Sequence, residues 1–257
     1  MNSKPILLVT RKLPDAVEQR AAKDYEVRLN ASDHIYDSES LIQLAEGAHA
    51  LLICNSEILN SDIIKKLSKT VQIVACFTSG YEHVDIAAAA NYGILVTNAP
   101  DALTDAVADL TILLLLGATR RASEGEIIMR GAQWKGWDAL FMAGSAIRGK
   151  RLGIYGMGRI GRAVATRAVS FGLEIHYHNR SRLAPELEAG ATWHKNVESL
   201  LECSDILSFH CPLNDQSRNF LTAERISLMP YGATVINTSR GDVVDDDALI
   251  SALISGR

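Results

Sequence analysis

Three groups of residues carry the chemistry legible in this sequence. The first is Gly156-Met157-Gly158-Arg159-Ile160-Gly161, glycines in the spacing G-x-G-x-x-G. The pattern alone is common. Here it follows an apolar run, Leu152 to Tyr155, and opens a helical one from Arg162, which is the strand-turn-helix setting a dinucleotide site requires. Gly156 permits the tight turn, Gly158 lets the backbone approach a pyrophosphate, and Gly161 lets helix and strand lie close. The helix start then offers N–H donors and the positive end of its dipole to phosphate. The bland alternative is a glycine turn that binds nothing.

The second group is Asn179-Arg180-Ser181-Arg182, just past the next apolar strand. An NAD site usually places Asp or Glu there to accept from the ribose hydroxyls. This stretch has no carboxylate, and its arginines suit a 2′-phosphate. NADP is therefore the expected cofactor, with NAD as the other candidate, unless both arginines are merely solvated loop residues. The third group is Thr238-Ser239-Arg240, at the carboxyl end of the run Thr234–Asn237. Ligands of open α/β sheets bind at such ends, and an arginine fork there can grip a carboxylate. A surface arginine in a turn is the alternative.

The elements that must hold these groups alternate along the chain, short apolar runs with longer amphipathic ones, as in βαβ units and parallel sheets. Strands are expected at Ile6–Thr10, Tyr25–Leu29, Ala50–Cys54, Val71–Cys76 and Ile94–Thr97. After a break at Asn98-Ala99-Pro100, a long helix is predicted from Thr104 to about Ala122, with Leu110, Leu113, Leu114 and Gly117 facing the core. A Gly/Trp-rich linker leads to further strands at Leu152–Tyr155, Glu174–His178, Ile206–Ser208 and Thr234–Asn237. The expected architecture is two α/β domains with parallel sheets, 1–99 and 100–257.

Composition narrows the function classes. The 257 residues are 47% hydrophobic and carry a net charge of −4, so no basic surface points to nucleic acid or an acidic membrane. The most apolar segment, Thr111–Ala118, is too short to cross a bilayer. The N-terminal run has no signal-peptide pattern, and a cytoplasmic location is expected. Cys54, Cys76, Cys203 and Cys211 form no Cys-x-x-Cys pair. They are read as free thiols rather than a disulfide framework or a zinc site, and no metal is expected.

Residues 153–161, 210–221 and 229–253 together resemble the D-isomer-specific 2-hydroxyacid dehydrogenase family, most of all its glyoxylate/hydroxypyruvate reductases. Residues 76–110 look like that family's substrate-loop and hinge-helix segment, and 134–156 like its approach to the glycine loop. The resemblance implies a flavodoxin-like substrate domain before a Rossmann domain, and hydride transfer from the cofactor to a small 2-keto acid. By it, N–H groups around Ser79-Gly80 hold the substrate carboxylate, and Arg240 binds its carboxylate and keto oxygen. Arg159-Ile160 meet the pyrophosphate, and residues 179–182 the adenosine ribose or its phosphate. Cys211, Pro212, Thr238, Ser239 and Thr104 line the remaining cofactor cleft. Gly80 as a turn glycine, Cys211 as a core thiol and Thr104 as a helix cap stay open.

A homodimer is also implied, with the Leu-rich helix and Trp134/Trp137 as candidate contacts unless they are core. The family's proton-donating histidine and its glutamate lie a few tens of residues beyond the arginine motif, and the sequence ends at Arg257. None of the seven histidines is a convincing substitute. His34, His49, His83 and His194 fall outside the motifs, His176 and His178 belong to the adenosine side, and His210 precedes Cys-Pro in the wrong motif. The expectation is a shortened form of a longer protein, with strand Thr234–Asn237 at a sheet edge and little reductase activity. A non-catalytic dinucleotide-binding sensor or scaffold is the alternative function.

Overall fold

Runs of β-branched and leucine side chains too short to close a stable helix form parallel strands in two sheets of five. The computed structural model describes residues 3–257, and the chain divides into two units, residues 1–102 and 103–257. In the first unit the order is β1 Ile6–Val9, α1 Asp15–Asp24, β2 Glu26–Arg28, α2 Ser38–Leu44, β3 Ala50–Ile53, α3 Ser61–Lys66, β4 Ile73–Cys76, α4 Ile86–Asn91 and β5 Leu95–Thr97. The sheet order is β2-β1-β3-β4-β5, the flavodoxin-like winding. Leu8 sits beside Leu51 and Leu51 beside Val74, so the central strands bury their aliphatic side chains against α2, α3 and α4. Three of these helices start where the sequence places a cap. Asp37, Asn60 and Asp85 accept from the N–H groups of Ser40, Ile63 and Ala88.

The second unit runs α5 Thr104–Thr119, α6 Ala122–Arg130, β6 Arg151–Tyr155, α7 Arg159–Val169, β7 Glu174–His178, α8 Pro185–Glu188, β8 Thr192–Trp193, α9 Val197–Cys203, β9 Ile206–Phe209, α10 Ala223–Leu228, β10 Thr234–Asn237, a 3-10 turn at Gly241–Val243, and α11 Asp246–Ser255. Its sheet order is β10-β9-β6-β7-β8. The chain leaves β6 toward β7 and β8, then returns to the other side at β9, so the topological switch lies between β6 and β9. β10 occupies one edge, as expected. Asp245 caps α11 by accepting from Ala248 N–H, and Gly256 ends it at φ +73°.

Two expectations are corrected. The single helix from Thr104 to Ala122 is broken at Arg121, which adopts φ +55°, and a separate α6 follows. The face of α5 is also different. Ala108, Thr111, Ile112, Leu115 and Thr119 are buried, whereas Leu110, Leu113 and Leu114 are 47%, 64% and 42% exposed. A helix apolar on nearly every side carries no pattern that selects its buried stripe. The choice falls to α7 and β10, against which α5 packs. Arg167 of α7 adds ion pairs to Asp105 and Asp109 of α5 at 2.8 and 2.6 Å. Strand β8, only two residues long, and α6 have no clear signal in the sequence. The four cysteines are free thiols. Among the described residues no helix is long and apolar enough to cross a membrane.

Candidate functional site

The three glycines after β6 do three different jobs. Gly156 turns the chain at φ +102°, and a Cβ there would lie 2.8 Å from the backbone of His210 and Cys211, which enter from β9 across the switch point. At Gly161 a Cβ would stand 2.4 Å from the Gly156 carbonyl oxygen, so α7 can meet the turn only without a side chain. At Gly158 a Cβ would meet nothing within 4 Å. Gly158 is also the N-cap of α7, which has neither a side-chain cap nor an acid in its first turn. No acid of the first turn of α7 therefore offsets the positive end of that helix.

This turn borders a cavity of about 380 Å³, of the size small-molecule sites have. Of the residues expected at the cofactor, Gly156, Gly158, Asn179, Arg180, Ser181, Cys211 and Pro212 line it. Asn179 also ties β7 to the glycine turn, accepting from Met157 N–H at 2.7 Å. His178, expected on the adenosine side, lines it too. Tyr155, Leu183, Asn214, Gln216 and Ser217 also line the cavity; sequence reasoning did not single them out. One signal existed. Asn214 begins a polar turn after Cys211-Pro212 and accepts from Gln216 N–H at 2.9 Å, an Asx turn. Ser217 then donates to the Pro212 carbonyl at 2.7 Å. The residue set fits a dinucleotide: an open glycine face, a bare helix start, and polar groups where ribose and phosphate would lie.

The remaining expected residues lie off the cavity wall. Arg159, Ile160 and Gly161 form the first turn of α7. The two arginines of the second group separate. Arg180 lines the cavity, but Arg182 forks onto buried Glu188 at 2.8 and 3.0 Å. Glu188 also accepts from Tyr177, and the Arg182 pair, aided by that bond, holds its pKa down at about 2. Thr104 is the first residue of α5, not its cap, and its hydroxyl is buried without a partner among the described residues.

Thr238 reaches α5 through the Thr111 hydroxyl at 2.9 Å. Ser239 donates from both N–H and hydroxyl to Asn237 Oδ1 at 3.0 and 2.7 Å. The Asn237 amide in turn donates to the Arg240 carbonyl at 2.8 Å. Asn237, whose residue type and spacing carry no signal of this role, therefore shapes the turn that presents the exposed Arg240 side chain. His210 contacts the Ser208 hydroxyl at 2.8 Å, and desolvation pushes its pKa down to about 4. The same effect lifts the Cys211 thiol to about 11. Neither group is charged at neutral pH, so His210 is a poor proton donor.

In the first unit the loop after β4 is fixed through its carbonyls. That of Thr78 accepts from Ala99 N–H at 3.0 Å, that of Ser79 from the Asn98 amide at 2.7 Å, and that of Gly80 from the Thr78 hydroxyl at 2.7 Å. Among the described residues the N–H groups of Ser79 and Gly80 have no protein acceptor. Such a pair of fixed donors suits a carboxylate.

Comparison with known sequences matches residues 112–257 to the NAD binding domain of the D-isomer specific 2-hydroxyacid dehydrogenases. The chain belongs to that family. The family consists of NAD(P)-dependent dehydrogenases, so its members are enzymes, and the matched segment contains the glycine turn, the β7 end and Arg240. Glycerate dehydrogenase of Hyphomicrobium methylovorum is 37% identical over 99% of this chain and 80% of its own length. The fold agrees. The structure of a Polaromonas sp. JS6 66 protein described as a member of the same family superposes with a TM-score of 0.92 at 41% identity, over 99% of this chain and 80% of that one. An NADPH-dependent glyoxylate/hydroxypyruvate reductase from Sinorhizobium meliloti, solved with NADP and malonate, gives 0.87 at 31% identity, over 99% and 77%.

Proposed function

We propose that this chain is an NADPH-preferring reductase of a small 2-keto acid, glyoxylate or hydroxypyruvate, yielding the D-2-hydroxy acid. The observation that carries the reading is the end of β7, where Arg180 and Ser181 line the cavity beside the open face of Gly158 and no carboxylate is present. A carboxylate there would repel a 2′-phosphate; an arginine attracts it. The Sinorhizobium protein, an NADPH-dependent reductase solved with NADP, supports the same preference.

In this reading residues 100–257 hold the dinucleotide and 1–99 the substrate. Residues 156–161 and the start of α7 bind pyrophosphate, while Asn179 offers its amide to the ribose. Cys211, Pro212 and Thr238 complete the cleft as neutral walls, and Thr104 supplies a hydroxyl still lacking a partner. A bound reduced nicotinamide supplies the hydride. Ser79 and Gly80 donate N–H groups to the substrate carboxylate, and Arg240 offers a fork that draws electron density toward the keto oxygen. A homodimer is proposed through the exposed Leu110, Leu113 and Leu114. Those leucines and Trp137, 87% exposed, are not core.

The test is oxidation of NADPH, followed by its near-ultraviolet absorbance, with glyoxylate or hydroxypyruvate. Consumption faster with NADPH than with NADH supports the proposal. A second reading, a dinucleotide-binding protein without turnover, is favoured by His210, which lines the cavity but is neutral and so a poor proton donor. Tight NADPH binding with no keto-acid-dependent oxidation would establish it.

A further inference from the structure

Behind the β7 wall of the nucleotide cavity, three chemically matched side chains converge where β7, β8 and α9 meet. His176 lies in β7, in register with Thr192 of β8; His194 follows β8; Cys203 is the last residue of α9, which packs on β6 and β7. Their ligand atoms all lie within 4.8 Å of one another. His176 Nδ1 is 2.9 Å from His194 Nε2, and Cys203 Sγ is 3.6 Å from that same nitrogen. Zn–N bonds of about 2.0–2.1 Å and a Zn–S bond of about 2.3 Å give tetrahedral edges of about 3.3 Å for N···N and about 3.6 Å for N···S. The sulfur edge already has the required length. The nitrogen edge is a few tenths of an ångström short, as befits a proton rather than a metal between the rings.

The supporting hydrogen bonds decide which atom of His194 faces the cluster. Ser199 Oγ donates its only proton to the Asn196 carbonyl at 2.8 Å, so at 3.0 Å from His194 Nδ1 it must accept. His194 therefore carries its proton on Nδ1 and turns the Nε2 lone pair inward. Metal-ligating imidazoles are oriented in this way, by a hydrogen bond from their other ring nitrogen. We propose that His176 Nδ1, His194 Nε2 and Cys203 Sγ form a three-ligand site for a borderline-soft divalent cation, Zn²⁺ above all, with a water as fourth ligand. Imidazole and thiolate donors disfavour Mg²⁺ and Ca²⁺. Binding releases the Cys203 thiol proton to solvent and shifts the His176 proton, by exchange with solvent, from Nδ1 to Nε2. The His194 carbonyl also lies 2.9 Å from His178 Nδ1, and His178 lines the nucleotide cavity, so the metal would sit one hydrogen bond from its wall.

The test is titration of the purified, chelator-treated chain with Co²⁺, the spectroscopic stand-in for Zn²⁺. The expected result is one ion per chain, with intense tetrahedral visible bands and a thiolate-to-cobalt charge-transfer band. Cys203→Ser should abolish the charge-transfer band, while Cys54→Ser and Cys211→Ser should keep it. Ser199→Ala, which removes no ligand, should weaken binding about 10–100-fold. A weak octahedral spectrum, or a charge-transfer band that survives Cys203→Ser, overturns the proposal. Should Cys203→Ser fail to fold, the wild-type chain still decides. Zn²⁺ must slow alkylation of Cys203, mapped by mass spectrometry, and an unchanged rate refutes the site.

Discussion

Arg180→Ala is the sharpest probe of the cofactor reading. Arg180 is exposed and lines the cavity, so truncating it should leave the fold intact and act only on what binds there. A hydrogen bond to a charged group is worth about 1.5–3 kcal/mol, and each 1.4 kcal/mol is about tenfold in affinity. Solvent exposure places this contact at the low end, so NADPH should bind roughly tenfold more weakly. NADH lacks the 2′-phosphate and should change less than about twofold on the same reasoning. Fluorescence titration of both reduced cofactors, at low and at high salt, measures the difference. High salt should narrow the wild-type preference and leave the variant unmoved. Equal losses for NADPH and NADH, or an unchanged NADPH affinity, would refute the assignment of Arg180 to the phosphate. Arg182→Ala is the contrast: its fork is occupied by Glu188, so thermal stability should fall while the NADPH/NADH ratio stays put.

The glycines give a second contrast. Gly158→Ala places its Cβ in open space and should keep the wild-type Tm while weakening dinucleotide binding. Gly161→Ala drives a Cβ into the Gly156 carbonyl and should cost about 1–3 kcal/mol of stability as well, read by urea denaturation. Stability should also fall in mild acid. His210 has a folded-state pKa of about 4 against about 6.5 unfolded. Between those values the unfolded chain takes up a proton that the folded one does not, so stability drops as pH falls through that window, by up to about 3 kcal/mol. His176 and His194 shift in the same direction. Urea midpoints at either end of the window check this, and His210→Asn should flatten the dependence. Leu113→Lys should lower the mass seen by light scattering without lowering helix content; an unchanged mass would rule out the α5 face as the dimer contact.

Most of the fold was legible because parallel strands announce themselves locally. A run such as Ala50–Ile53 is apolar and brief, and an Asp, Asn or Thr with a free acceptor marks the next helix start. The glycine turn was legible for a related reason: steric demands at Gly156 and Gly161 act over a few residues, so the spacing in the sequence records them. What the sequence could not decide depended on partners far along the chain. Arg180 and Arg182 look alike as residue types, yet Glu188 claims one of them and leaves the other at the cavity. The leucines of α5 are chemically equivalent, and only the positions of α7 and β10 choose Ala108, Thr111 and Leu115 for the interior. His176, His194 and Cys203 are separated by 18 and nine residues, a spacing that matches no local metal motif; β7, β8 and α9 bring them together. The sequence by itself thus determined strand positions, helix caps and the glycine turn, because those are short-range steric and hydrogen-bonding requirements. Tertiary structure alone decided which charge is neutralised, which leucine is buried and which histidine nitrogen faces a thiol, because each is settled by a neighbour supplied through packing.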